Sequence, residues 1–412
     1  MTRIQRIILA GMIGLTGTAP CRAARLNRIF LYGNTHLEPA VILRELRIHE
    51  GDSLTPDLLK TERAWLLRQK FLKNIEFQLM PECASGRTNL ILVVREKQGW
   101  SPSPILGRNS VFGWYGGLHL ETNPWPIRRQ RLRLTLQAGG HRLFQFLWQD
   151  PWFAGSLRLF WEIRAWYTSF PYHFSDHPPG FEEQDTGIEA QIGHQFGRLL
   201  QAGIRSGLES IRTGERVIMR SGTQTDRLVS AGIFADIDTR DWPVWPREGI
   251  RVNGWTRWYS PEYGDDFSQS GLDFQGFIPV RRHTLAVQTI FRKSHGNVPV
   301  YKRFHAASDR AVRGYRFGEF AGDNLLAATV EYRFPIFSIR QPVQGLHIGY
   351  GGVLFFDTGA AWYQHESPEK IHFQEAAGIG LQGVFRDWAV RFEYGHHFHG
   401  WGFFTYGTSL KF

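Results

Sequence analysis

Arg313, in Ala311-Val312-Arg313-Gly314-Tyr315, and Asp357, in Phe355-Phe356-Asp357-Thr358-Gly359, are the two residues whose types and settings best suggest a built site. Arg313 lies late in the longest run between two strand-like segments, residues 294–323. If the flanking strands close into a barrel, this run is the best candidate for a loop that folds back inside. An arginine buried there needs an acid, because an unpaired buried charge is costly. Asp357 is a good one. The alternative is an exposed loop arginine, since charged side chains mostly face water.

Other chemistry-bearing residues do not converge. His396, His397 and His399 crowd the last loop, yet adjacent strand residues point to opposite faces. A metal needs convergent ligands with hydrogen-bonded supports behind them. His173 and His177 flank Asp176 ahead of Pro178-Pro179 and read as loop residues. No Gly-x-Ser-x-Gly elbow occurs, and no spacing singles out a Ser-His-acid triad. The chain reads as a non-enzyme that needs no metal, cofactor or nucleotide.

Arg313 and Asp357 need a scaffold, and the patterning from Trp100 onward supplies one. Helical periodicity is absent there. Segments of about ten residues alternate apolar and polar, as membrane-crossing strands do. Sixteen are expected, near 99–106, 111–121, 131–139, 142–150, 156–167, 186–196, 200–212, 226–238, 249–260, 267–278, 283–293, 324–334, 345–362, 373–385, 388–398 and 402–412. The first is the least regular, because Pro102 and Pro104 cannot donate to a ladder. Connections 123–129, 151–155, 197–199, 241–248 and 279–282 are short or turn-like. Those at 168–185, 213–225, 261–266, 294–323 and 364–372 are mostly longer. That is the asymmetry of periplasmic turns and extracellular loops. An even strand count keeps both termini of the barrel on one side, and closure leaves no open edge in hydrocarbon. In the last strand Phe404, Tyr406, Leu410 and Phe412 share a face that suits lipid. Thr405, Gly407, Ser409 and Lys411 share one that suits a polar lumen. A soluble edge strand with that outer face would risk aggregation.

Composition agrees with this without deciding it. Aromatics make up 14%, with 15 Trp, 31 Phe and 44 Gly, as barrels with aromatic girdles require. Mean hydropathy is −0.30. Past the N-terminus no apolar run reaches the roughly 18 residues of a transmembrane helix. The net charge of +10 comes from Lys and Arg scattered singly, which argues against nucleic acid as a partner. It fits a surface facing anionic lipid or lipopolysaccharide. Of the two cysteines, Cys21 falls in the export signal described next, so Cys83 would stand alone and no disulfide framework is expected.

Residues 1–23 read as a secretory signal: Arg3 and Arg6, an apolar core from Ile7 to Leu15, then small residues. Cleavage is ambiguous between Ala19 and Ala23-Ala24. Residues 24–98 form a distinct small α+β unit. A strand at 26–32 ends at Gly33-Asn34, and a helix runs from Pro39 to Leu46. After Gly51-Asp52, Thr55 caps a second helix that starts at Pro56. Strands follow at 75–79 and 89–96. Residues 99–412 are the barrel.

The β-α-α-β-β order, with Gly33-Asn34, Gly51-Asp52, Phe71, Phe77 and a close at Glu96, resembles a single polypeptide-transport-associated (POTRA) domain. The chain as a whole resembles the BamA/TamA-like superfamily of outer-membrane assembly and translocation barrels. The motifs that carry this resemblance are Val312-Arg313-Gly314-Tyr315, Asp238-x-Arg240-Asp241 with Pro246-x-x-Gly249, and Asp150-Pro151-Trp152-Phe153. Glu331-Tyr332-Arg333-Phe334-Pro335, Phe355-x-Asp357-x-Gly359 and the terminal Phe412 complete the set. The resemblance implies that the Arg313 loop enters the lumen and meets the Asp357 strand, with Phe355, Asp357 and Gly359 inward. It implies a weak seam between first and last strands where client strands add. It also implies outer-membrane residence, a periplasmic POTRA domain, unfolded barrel or secreted clients, and periplasmic chaperones as further partners. Members that scaffold accessory lipoproteins carry more POTRA units than the one found here. Two other readings stay open: a two-partner-secretion transporter with one client, and a passive pore or receptor barrel.

Overall fold

The computed structural model describes residues 24–408, apart from 36, 69–71, 83–86, 98, 123–129, 154–156, 175–176, 309–310, 342–345, 386–387, 398–399 and 401. The expected signal segment 1–23, Cys21, Cys83, Phe71, His399, Leu410 and Phe412 therefore lie outside the described residues. Among the described residues no helix is long and apolar enough to cross a membrane.

The N-terminal unit is a four-stranded sheet with two helices. Its elements are β1 (Ala24–Tyr32), α1 (Pro39–Leu43), β2 (Ser53–Leu54), α2 (Pro56–Arg68), β3 (Leu72–Glu82) and β4 (Arg87–Glu96), in sheet order β2-β1-β4-β3. α1 stops at Leu43, short of the expected Leu46. β2 is an element that the sequence did not announce, because two residues carry no periodicity. The Thr55 hydroxyl accepts the Leu58 N–H at 3.2 Å, which caps α2. Leu26, Val41, Ile42, Leu66, Ile75, Leu90 and Leu92 form the core between helices and sheet. The Glu96 carboxylate accepts the backbone N–H groups of Thr35 and Leu37, both at 2.9 Å, tying the end of β4 to the loop after β1.

Sixteen antiparallel strands then close into a barrel. They are β5 (Trp100–Asn109), β6 (Gly113–Thr122), β7 (Arg131–Gly139), β8 (Arg142–Phe153), β9 (Leu159–Phe174), β10 (His177–Phe196), β11 (Leu200–Thr213) and β12 (Thr225–Asp238). There follow β13 (Gly249–Pro261), β14 (Phe267–Val280) and β15 (His283–Gly296). After a loop holding the short pair β16 (Phe304–His305) and β17 (Ala321–Gly322) come β18 (Asn324–Gln341), β19 (Leu346–Trp362), β20 (Gln374–Phe385), β21 (Trp388–His397) and β22 (Phe403–Gly407). Each strand pairs with its sequence neighbours in the barrel, and β22 closes on β5. The expected strand count and fold class are both found.

Alternation sets the two faces of the wall. Ile188, Ile204, Leu208, Ile233, Leu272, Leu354 and Ile379 are exposed on the outside. Thr135, Glu189, Ser230, Gln288, Thr329 and Glu331 are buried inward. One connection differs from its expected form. Residues 168–185, read as a long loop, continue β9 and β10 as a paired ribbon from Asp185 opposite Thr168 to His177 opposite Phe174. The aromatic and β-branched run in β9 favours extended pairing, while the prolines of the ribbon break the alternation that sequence reading relies on. At the same end of the barrel Phe181, Ile211, Tyr259 and Phe267 of the strands pack with Ile218, Met219, Val298 and Tyr301 of the longer loops into an apolar roof.

Candidate functional site

The loop between β15 and β18 sends residues 311–315 into the interior, and all five are buried. β19 shows why Asp357 can meet them. Val353, Phe355 and Asp357 are buried on its inner face while Leu354 and Phe356 are exposed outside. The Arg313 guanidinium donates from Nε to Asp357 Oδ2 at 2.8 Å and from Nη2 to Asp357 Oδ1 at 2.9 Å. The Arg313 backbone N–H adds a third bond to Oδ2 at 3.0 Å. Such a fork gives direction as well as charge. Its plane lies over the Phe355 ring, 3.4 Å from the centroid.

Two further acids take the remaining donor. Arg313 Nη1 reaches Glu331 Oε1 at 2.7 Å and Glu393 Oε2 at 3.1 Å. Two further arginines balance the cluster: Arg333 donates to Glu331 at 2.8 Å, and Arg391 lies 3.6 Å from Glu393. The Thr329 hydroxyl donates to Asp357 Oδ1 at 2.8 Å, and the Gln382 amide donates to Glu393 at 3.0 Å. Three cations therefore face three carboxylates, and all six side chains are buried. Burial alone would lower the Arg313 pKa, but Asp357, Glu393 and Glu331 outweigh it and hold it well above the ordinary value.

Small residues let the loop approach this closely. Gly314 has φ +88°, and a Cβ there would lie 2.9 Å from the Gly395 backbone of β21. A Cβ on Gly359 would meet Val312 at 2.8 Å. The Tyr315 hydroxyl donates to the Glu375 carbonyl at 3.0 Å, and its ring stacks on His397 at 4.4 Å. Beyond it, Arg316 lies over Phe403 of β22, and Phe317 donates its N–H to Ser110 at 3.1 Å.

Val312, Arg313, Gly314, Tyr315, Phe355, Asp357 and Gly359 thus come together. Glu331, Glu393, Gln382 and Gly395 join them, and the sequence reading did not assign these four to the site. The available signal was an ionisable residue on the inward face of an alternating strand: Glu393 sits between Phe392 and Tyr394. The Asp238-x-Arg240-Asp241 turn lies at the barrel end that bears the N-terminal unit. There Asp238 accepts Arg240 Nε and Nη2, both at 3.0 Å, and Asp241 accepts the Arg247 N–H at 2.8 Å. Pro246 is buried in that turn, and Gly249 leaves it at φ +102°. Phe404 is exposed on the outer face against Phe392 at 5.5 Å, and Tyr406 stands 6.1 Å from Trp114 of β6. Among the described residues the β22–β5 seam has one register pair, Tyr406 with Arg108. No group of three or more His, Cys, Asp or Glu residues suited to a metal occurs among the described residues.

Residues 128–386 match the Omp85 superfamily domain, well over half of the 412-residue chain. The chain belongs to the Omp85 superfamily. This Omp85 chain is 20% identical over 401 residues to the outer membrane protein assembly factor BamA of Nitratidesulfovibrio vulgaris. That alignment takes in 90% of this chain and 48% of the relative, so the chain spans about half the relative's length. In fold, the Omp85 barrel and its N-terminal unit resemble BamA from Haemophilus ducreyi lacking POTRA domains 1–3. The TM-score is 0.62 at 15% identity, covering 94% of this chain and 85% of that one. They also resemble CdiB from Escherichia coli, with TM-score 0.66 at 12% identity, covering 94% and 76%.

Proposed function

We propose that this protein is an outer-membrane factor that inserts or translocates other proteins. In this reading residues 1–23 are an export signal, 24–98 a periplasmic POTRA domain and 99–412 the membrane barrel. The Arg313 loop is a lumenal brace paired with Asp357. Client strands engage at the β22–β5 seam by adding main-chain hydrogen bonds to a sheet edge. The observation that carries the reading is this brace: a loop folded into a closed barrel whose buried Arg313 is bonded to Asp357, Glu331 and Glu393. A passive pore has no use for a loop that ends in a buried arginine and three acids. Pro102 and Pro104 of β5 support the seam assignment, because neither can donate to β22. Extended clients and their chaperones would meet the N-terminal sheet first, and anionic lipid or lipopolysaccharide would surround the barrel.

Depletion in the host followed by quantitative proteomics of the outer membrane tests this. A broad loss of barrels means general assembly. Loss of one surface or secreted protein means a dedicated translocator. An unchanged proteome with altered small-solute permeability overturns the proposal in favour of a pore.

A further inference from the structure

The turn between β12 and β13, residues 239–248, carries Trp242-Pro243-Val244-Trp245-Pro246. Trp245 is 9% exposed and packs with Val384 of β20 and Ala389 of β21, with Trp242 and Val244 against the same cluster. Four strands, β14, β15, β18 and β19, stand between β13 and β20 along the wall. The contact is therefore made through the lumen and not along the wall. Val384 and Ala389 lie at the ends of β20 and β21 nearest their connecting turn, on the side of the N-terminal unit. They are 4% and 3% exposed although they face inward. The turn is braced to stay across the opening. Arg240 bonds Asp238 and reaches Gln275 at 3.3 Å, and Arg247 donates to the Arg281 carbonyl at 2.9 Å.

We infer that this turn is a strap that closes the lumen at the end bearing the N-terminal unit. Each buried indole removes a large apolar area from water, so the closed position is favoured by packing that an open mouth would lose. The loop roof covers the other end, and the Arg313 cluster sits in the enclosed space between them. Anything that enters the lumen from the N-terminal side must first displace Trp245 from Val384 and Ala389.

The test uses the full chain with Cys21 and Cys83 replaced by Ser. A reporter Gln288→Cys is placed on β15, level with Thr329 by strand register. A small membrane-impermeant thiosulfonate is the probe. Slow labelling is expected with the strap intact. Trp242→Ala with Trp245→Ala should speed labelling at least about tenfold, because the buried indole of Trp245 and the partly buried one of Trp242 no longer favour the closed state. Equal rates in a folded, heat-modifiable variant overturn the inference, as does rapid labelling with both tryptophans present. A second variant does not depend on folding of the alanine pair. Trp245→Cys with Ala389→Cys should be joined within one chain by a short bis-maleimide, read by mass spectrometry of the linked peptides. No link in folded protein overturns the inference.

Discussion

Phe317, at the end of the interior loop, packs edge-on against Phe112, in the turn of the first barrel hairpin, at 5.1 Å. The contacts of this loop fall on both sides of the β22–β5 closure. On one side Arg313 holds Glu393 of β21, and Arg316 lies over Phe403 of β22. On the other, Phe317 meets Ser110 and Phe112 between β5 and β6. One short loop thus spans a seam that has a single register pair among the described residues.

The seam should loosen when this bridge is cut. An edge-to-face aromatic pair contributes about 0.5–1.5 kcal/mol beyond its burial. Phe317→Ala is expected to raise hydrogen exchange of β5 amides while β12 to β14 stay protected. Unchanged exchange in β5 would mean that the strands hold the seam without the loop.

The Arg313 cluster should behave as one unit. Arg313→Ala strips the shared cation from three buried carboxylates, and breaking a buried pair this way costs about 3–5 kcal/mol. Asp357→Asn should cost less, because Glu331 and Glu393 keep their bonds to the guanidinium. The double variant should be little worse than Arg313→Ala in chemical unfolding of the barrel. Additive losses would show that Arg313 and Asp357 act independently.

Much of this was legible in the chain. Period-two alternation gave the wall, since a polar interior and an apolar exterior leave that mark on each strand. Arg313 and Asp357 stand out because a buried charge needs a partner and because both fall in motifs that carry the family resemblance. Glu331 and Glu393 were harder. They reach Arg313 from strands 18 and 80 residues away along the chain; Glu331 falls in a motif that names no partner for it, and nothing local distinguishes Glu393 from other inward acids. The turn that holds Trp245 reads as a periplasmic turn, but its contact with Ala389 does not show in the chain, because it depends on how the barrel closes. β2 and the β9–β10 ribbon escaped for a third reason: pairing with a neighbour, not periodicity, makes them strands.

The N-terminal unit should detach when Arg198 is lost. Arg198, in the turn between β10 and β11, donates to Glu62 of α2 at 2.9 and 2.5 Å. It also bonds the Glu45 carbonyl and lies over the Trp65 ring at 4.9 Å. Glu62 in turn accepts the Arg47 N–H at 2.9 Å. A hydrogen bond to a charged group contributes about 1.5–3 kcal/mol. Arg198→Ala is therefore expected to broaden the distance between spin labels on α2 and the barrel. A distribution as narrow as that of the unaltered chain would show that the remaining contacts, Arg44 with Gln195 and Arg158 with the Arg44 carbonyl, suffice.

Acid should loosen the interior loop through His305. This residue sits in β16, paired with Ala321 and stacked near Phe317 at 5.5 Å. Burial pushes its imidazole down to about 4. The charged form is disfavoured in the folded loop, so the unfolded loop binds the proton more readily. The contribution is full above the ordinary histidine value of about 6.5 and is lost as pH falls toward 4, at about 1.4 kcal/mol per unit. Hydrogen exchange across residues 304–322 should therefore rise between pH 6.5 and 4 beyond the intrinsic trend. His305→Phe keeps the ring packing and removes the proton site, so its protection should stay flat over that range. Parallel curves for the two proteins would assign the acid response to another group.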